Sequence, residues 1–168
     1  MIELDRHFGY PFRSARVFRA LADVTAYPDW QSDVLAAVLH GGPIRLGAEF
    51  SLARRVLGRS ACFRFQVTAY QQGRVLALRS LDTAWPRFSH SFQLARTAGE
   101  RCLLSVRTTV DGAVPVSDPV AVALFAHQMT QTFDDLRSYL ATGPSAGRNS
   151  QKSPERTHFG NDRVRVFV

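Results

Sequence analysis

From Val34 to Val110 the chain alternates apolar and polar residues in run after run, and the stretch that follows has a different period. Ser60–Tyr70 is the clearest run. Ala61, Phe63, Phe65, Val67 and Ala69 fall on one face, and Cys62, Arg64, Gln66 and Thr68 on the other. Arg87–Ala95 repeats the pattern with Phe88, His90, Phe92 and Leu94, and Cys102, Leu104, Val106, Thr108 and Val110 continue it. Period two marks a strand with one buried face. Val34–His40, Ala48–Val56 and Arg74–Leu81 read as further strands. The turns between them are Gly41-Gly42-Pro43, Leu57-Gly58-Arg59, Gln71-Gln72-Gly73 and Thr97-Ala98-Gly99-Glu100. Connections this short join antiparallel neighbours, because a parallel crossover needs about a dozen residues or more. Then Val122, Phe125, Met129, Phe133, Leu136 and Leu140 recur at spacings of three and four. That spacing predicts one long helix to about Ala141, with Ser117 or Asp118 as its cap, Pro119 at its first position and Gly143-Pro144 as its stop. A one-faced sheet and a one-faced helix bury each other, so the fold class is α+β.

The N-terminal segment fits that plan. Ile2, Leu4 and Phe8 alternate with Glu3, Asp5 and His7, which predicts an opening strand. Tyr10-Pro11-Phe12 ends it. Ser14 is the expected N-cap of a short helix through Ala22, whose stripe is Val17, Phe18 and Leu21. Tyr27-Pro28-Asp29-Trp30 begins a second short helical turn, with proline near its start.

A length of 168 residues suits one domain, 1–142, and a tail, 143–168. The tail is basic, rich in Ser, Asn, Gly and Arg, and expected to be disordered; Arg163–Val168 alternates and would pair only weakly. The net charge is +7, and all but one of the 21 basic residues are arginines, a bias that a GC-rich genome produces as readily as chemistry does. They are scattered one or two per element, as on solvated surfaces, so a nucleic-acid partner is not expected. No apolar run approaches the roughly 18 residues of a membrane span, so no stable membrane insertion is expected. The first residues lack a basic-then-apolar signal, and two cysteines make no disulfide framework. The expectation is a soluble cytoplasmic domain.

Val17-Phe18-Arg19-Ala20-Leu21-Ala22-Asp23-Val24, followed by Tyr27-Pro28-Asp29-Trp30 and Val34, resembles the opening motif of the START-like, or SRPBCC, superfamily. Within it, the chain is most similar to the polyketide cyclase/dehydratase and lipid-transport family. Leu46-Gly47-Ala48-Glu49-Phe50 resembles that family's glycine before the second long strand, and Gly99-Glu100-Arg101-Cys102-Leu103-Leu104 stands where it has a glycine-and-arginine hairpin. The resemblance covers about residues 1–141, and its motifs are structural. It implies a helix-grip fold: a curved antiparallel sheet wrapped around the long C-terminal helix, with two short helices after the first strand and a cavity between sheet and helix. The implied function is binding, or transport, of a hydrophobic or aromatic small molecule or lipid. The alternatives are a polyketide aromatase/cyclase or dehydratase, and a protein-interaction module of the ribosome- or quinone-associated type. A cyclase calls for convergent polar groups in an open pocket, a carrier for a nearly apolar one, and an interaction module for a collapsed cavity.

Inward parity and the resemblance together select Tyr27, Trp30, Phe50, Phe63, Phe65, Ser80, Phe88, His90, Phe92, Thr108, Phe125 and Met129 as candidate ligand-binding residues. His90 is the best candidate for acid/base work, because burial readily moves an imidazole pKa. The plainer reading is a buried neutral histidine with one hydrogen-bond partner, as no acid lies near it in sequence. In the cyclase reading Ser80, Thr108 and Tyr27 position the substrate. Trp30 is more commonly a packing anchor between short helices and sheet. Arg54 shares the parity of Phe50 and Leu52 and could reach a cavity end, whereas Arg107 looks outward and Arg79 is ambiguous; strand arginines are most often on the outer face. His127 and Gln131 lie off the apolar stripe. The five histidines show no ligand spacing, Cys62 and Cys102 fall on opposite parities, and no phosphate loop or nucleophile motif occurs. No metal and no cofactor is expected.

Overall fold

The computed structural model describes residues 1–56, 58–81, 86–112 and 117–143. Seven antiparallel strands form one curved sheet: β1 (Ile2–Tyr10), β2 (Val34–His40), β3 (Glu49–Val56), β4 (Arg59–Gln71), β5 (Val75–Ser80), β6 (Arg87–Thr97) and β7 (Arg101–Asp111). Their order is β1-β7-β6-β5-β4-β3-β2, so five consecutive hairpins carry the chain from one edge to β7, and β1 closes on β7 at the other edge. Helices α1 (Ser14–Ala22) and α2 (Tyr27–Trp30), with a 3-10 turn at Val24–Ala26 between them, follow β1, and α3 (Asp118–Thr142) closes the fold. Strand and helix ends fall within one or two residues of the alternation limits read from sequence.

Register explains why one face is greasy. Leu94 sits opposite Leu104, Phe92 opposite Val106 and Phe88 opposite Val110, so each inward residue of β6 meets an inward residue of β7. Register shifts at Val34/Ala36 and at Val67/Ala69 interrupt two ladders. Irregularities of this kind bend strands and increase their twist, which helps the sheet curve around α3.

The buried stripe of α3 is Ala121, Phe125, Met129, Thr132, Phe133, Leu136 and Leu140. Val122, expected on that stripe, is 39% exposed, because the face turned to the sheet runs through Ala121. Thr132 is a hydroxyl within an otherwise apolar face. His127 and Gln131 are exposed. Three polar tethers seat the helix: Tyr10 Oη donates to the Phe133 carbonyl at 2.8 Å, Arg16 Nη2 to the Leu140 carbonyl at 2.6 Å, and Arg137 Nη2 to the Gly9 carbonyl at 3.0 Å. The helix ends at Gly143, whose φ of 77° suits a residue without a side chain.

Both expected caps differ in detail. Arg13 occupies the N-cap position of α1, while Ser14 is its first helical residue and is buried. At α3, Ser117 holds the N-cap position and its carbonyl accepts the Ala121 N–H, but its side chain makes no capping bond, and Pro119 is the second helical residue. Arg64 pairs with Glu49, Arg107 with Asp5 and Glu3, Arg13 with Glu100 and Arg87 with Asp111, on exposed faces. Arg79 is also exposed. No disulfide joins Cys62 and Cys102. Among the described residues no helix is long and apolar enough to cross a membrane. The tail beyond Gly143, including Arg163–Val168, lies outside the described residues.

Candidate functional site

Alternation on six strands brings side chains to one hollow, Leu4 of β1 and Leu78 of β5 among them. β3 contributes Leu52, Arg54 and Val56; β6 contributes Phe88, His90 and Phe92; β7 contributes Val106 and Thr108; β4 contributes Phe65. Phe125, Gln128, Met129, Thr132 and Phe133 of α3 face them, and Tyr27 and Gln31 close one side. The hollow is a cavity of about 80 Å³. That is several times the roughly 10–15 Å³ needed to hold one water. A wider groove of about 410 Å³ runs outside, between α1 and the β2–β3 and β4–β5 turns, along Phe18, Ile44 and Tyr70. It is open to solvent, and none of its polar or charged side chains is buried. The cavity under α3, which the buried polar residues Arg54, Thr108 and Thr132 line, is the candidate site.

His90 stands in an aromatic box. Its ring centre lies 6.0 Å from Phe65, 6.0 Å from Phe88 and 6.2 Å from Phe92, nearly parallel to the last two. Nδ1 is 2.9 Å from Thr108 Oγ1, and its other nitrogen has no partner among the described residues. Burial, and to a smaller extent the positive charge of Arg54, together lower its pKa to about 3. At neutral pH the imidazole is uncharged and very weakly basic. An acid/base catalyst works best with a pKa near the operating pH, so this environment suits hydrogen bonding to a ligand and does not suit proton transfer.

Arg54 overturns the plainer reading of strand arginines. It is 9% exposed and turns inward, its guanidinium carbon 5.8 Å from the Phe88 ring centre. Its Nε and Nη2 donate to Asp33 Oδ2 at 2.8 and 2.5 Å. The Arg55 N–H donates to the Asp33 carbonyl at 2.7 Å, which fixes the aspartate beside β3. Asp33 Oδ1, Gln31 Oε1 and Trp30 Nε1 are buried with no partner among the described residues.

Of the residues selected from sequence, Tyr27, Phe65, Phe88, His90, Phe92, Thr108, Phe125 and Met129 line the cavity. Four do not. Phe50 stacks behind Phe65 at 5.5 Å, and Phe63 sits edge-on to Phe88 at 5.3 Å. Trp30 packs edge-on against Tyr27 at 5.1 Å. Ser80 Oγ accepts the Phe88 N–H at 2.9 Å. These four support the wall from behind. The Tyr27 hydroxyl donates to the Leu21 carbonyl at 2.7 Å, so its ring, with its donor already engaged, forms the wall. Sequence reasoning missed Asp33, Gln31, Gln128 and Thr132. Thr132 carried a signal, a hydroxyl three residues after Met129 and beside Phe133.

A family model of polyketide cyclase/dehydrase and lipid transport proteins matches residues 3–141. Among solved structures, a START superfamily protein from Mycobacterium smegmatis superposes with a TM-score of 0.74 at 14% identity, over 83% of this chain and 97% of that one. Major latex-like protein 151 from Panax ginseng gives 0.66 at 12% identity, over 82% and 96%. The di-domain ARO/CYC StfQ from the steffimycin biosynthetic pathway gives 0.65 at 15% identity, over 82% of this chain and 44% of that one. No curated protein matches the chain. At these identities the structural likeness speaks to the fold, a curved sheet gripping a C-terminal helix, and it covers a share of the chain similar to that of the sequence match. The chain belongs to the polyketide cyclase/dehydrase and lipid transport family.

Proposed function

We propose that this protein binds a compact hydrophobic ring compound in the cavity between the sheet and α3. One observation carries the reading. Protein cores pack nearly as densely as organic crystals, yet this core keeps about 80 Å³ empty beside Gln31, whose buried Oε1 has no partner among the described residues. An unpaired buried hydrogen-bonding group costs about 1–3 kcal/mol, so a hollow of this kind is best explained by an occupant. The aromatic wall supplies burial, and Arg54, His90 and Thr132 supply orientation. At about 80 Å³ the cavity is smaller than the roughly 150 Å³ that takes a benzene ring, so a single ring enters with some give of the walls, and a whole lipid is disfavoured. An interaction module calls for a collapsed cavity, and this one is open.

Polyketide cyclisation is the second reading, favoured by Arg54 and by the resemblance to the ARO/CYC StfQ fold. There the Arg54 guanidinium would steady an enolate oxygen, and His90 would donate or accept a hydrogen bond without taking up a proton. Native mass spectrometry of the purified protein tests the binding reading. The expected result is a co-purified small molecule that is lost in Val106→Phe, which fills the cavity from the sheet side. An adduct retained by that variant would contradict the assignment.

A further inference from the structure

The cavity wall is electrically balanced, and that balance restricts what a ligand can carry. Arg54 is the one Arg, Lys, Asp or Glu among the described residues that line it. Its charge is already matched by Asp33, just behind it, with both side chains 11% exposed. His90 is an uncharged imidazole in its aromatic box. The Tyr27 hydroxyl is engaged with the Leu21 carbonyl. What remains for a ligand is hydrogen bonding. Arg54 Nη1, the second nitrogen of His90 and the Thr132 hydroxyl have no partner among the described residues, and all three residues border the hollow.

We infer that the site selects uncharged oxygen-bearing rings, such as phenols and cyclic ketones, over carboxylates of the same shape, and that Asp33 is the residue that sets this selectivity. The inference rests on the reading that the cavity is the ligand site. A neutral hydroxyl or carbonyl can satisfy the free donors while bringing no charge into the interior. A carboxylate would leave water for a space whose single cation is already paired, and its desolvation would go uncompensated unless Asp33 released Arg54. Removing the Asp33 charge reverses the situation. Arg54 then becomes an unpaired buried guanidinium, for which a carboxylate is the best available partner.

Three single-ring probes of nearly one shape test this: p-xylene, 4-methylphenol and 4-methylbenzoate, titrated by NMR near pH 7, where only the last is ionised. Wild-type protein should bind 4-methylphenol at least about tenfold more tightly than 4-methylbenzoate, a ratio equivalent to about 1.4 kcal/mol. Asp33→Asn should strengthen 4-methylbenzoate binding by about tenfold or more and leave 4-methylphenol within about threefold. The double variant Arg54→Gln/Asp33→Asn strands no charge and should return to the wild-type preference. If Asp33→Asn does not fold, the wild-type ratio and the double variant decide. Equal wild-type affinity for the phenol and the carboxylate would overturn the selectivity while leaving the binding reading intact, as would an unchanged ratio in Asp33→Asn. Failure of all three probes to bind would overturn both.

Discussion

His90 and Thr108 face each other across β6 and β7, with Nδ1 2.9 Å from Oγ1. Directly opposed residues of neighbouring strands point the same way, so this pair forms a polar island on the concave face, enclosed by Phe65, Phe88 and Phe92. The hydroxyl occupies one ring nitrogen and leaves the other for the cavity. Because the partner is a hydroxyl and not a carboxylate, nothing holds a proton on the ring, and burial drives it off.

The titration of His90 follows directly. Its imidazole should stay neutral down to about pH 3 in the folded protein, read from ring nitrogen shifts. The unfolded chain takes up the proton near 6.5, so between these values the unfolded state binds more protons and folding weakens as pH falls. This group alone should cost about 2 kcal/mol of stability between pH 7 and pH 5, and nothing above about pH 7. His90→Gln should show a shallower acid loss in urea unfolding. An imidazole that titrates near 6.5 would place the ring in water.

Phe133 is 5% exposed and packs against Phe8 at 4.7 Å and Phe92 at 6.2 Å. Phe133→Ala should cost about 3–5 kcal/mol, as expected for a large core truncation. Val122→Ser, on the exposed side of the same helix, should cost less than about 0.5 kcal/mol. Chemical denaturation of both variants checks the helix register. Similar costs would mean that α3 is rotated from the orientation described.

Tyr10→Phe isolates a tether. The phenol donates to the Phe133 carbonyl at 2.8 Å from a buried position, and burial raises its pKa. Its removal should cost about 1 kcal/mol, the usual net worth of a buried hydrogen bond. Calorimetry should show a lower Tm with the fold intact. An unchanged Tm would show that the tether does not help to seat α3.

The architecture was legible because period and position say so much in a strand. Phe88, His90 and Phe92 could be placed inward from alternation alone, and the β6–β7 register then set His90 against Thr108. Depth was less legible. Phe50 and Phe63 share the inward parity of Phe65, yet they lie behind the wall, because parity gives a face and not a distance from the hollow. The helix was misread by one residue at its start, where Val122 is more apolar than Ala121 but Ala121 meets the sheet. Arg54 shows the larger gap. Its parity pointed inward and its charge pointed outward, and the conflict was resolved by Asp33, a partner that only the β2–β3 pairing brings near.

Methionine gives the most direct test of the central claim. The chain has two, Met1, which is 87% exposed, and Met129, which is 7% exposed and lines the cavity. With carbon-13 in the methionine methyl groups, titration with 4-methylphenol should move the Met129 methyl signal through ring-current shifts and leave Met1 unchanged as an internal control. Val106→Phe should abolish that movement. A Met129 signal that stays still while the probe binds, or that moves equally in Val106→Phe, would place the ligand outside the cavity and contradict the account.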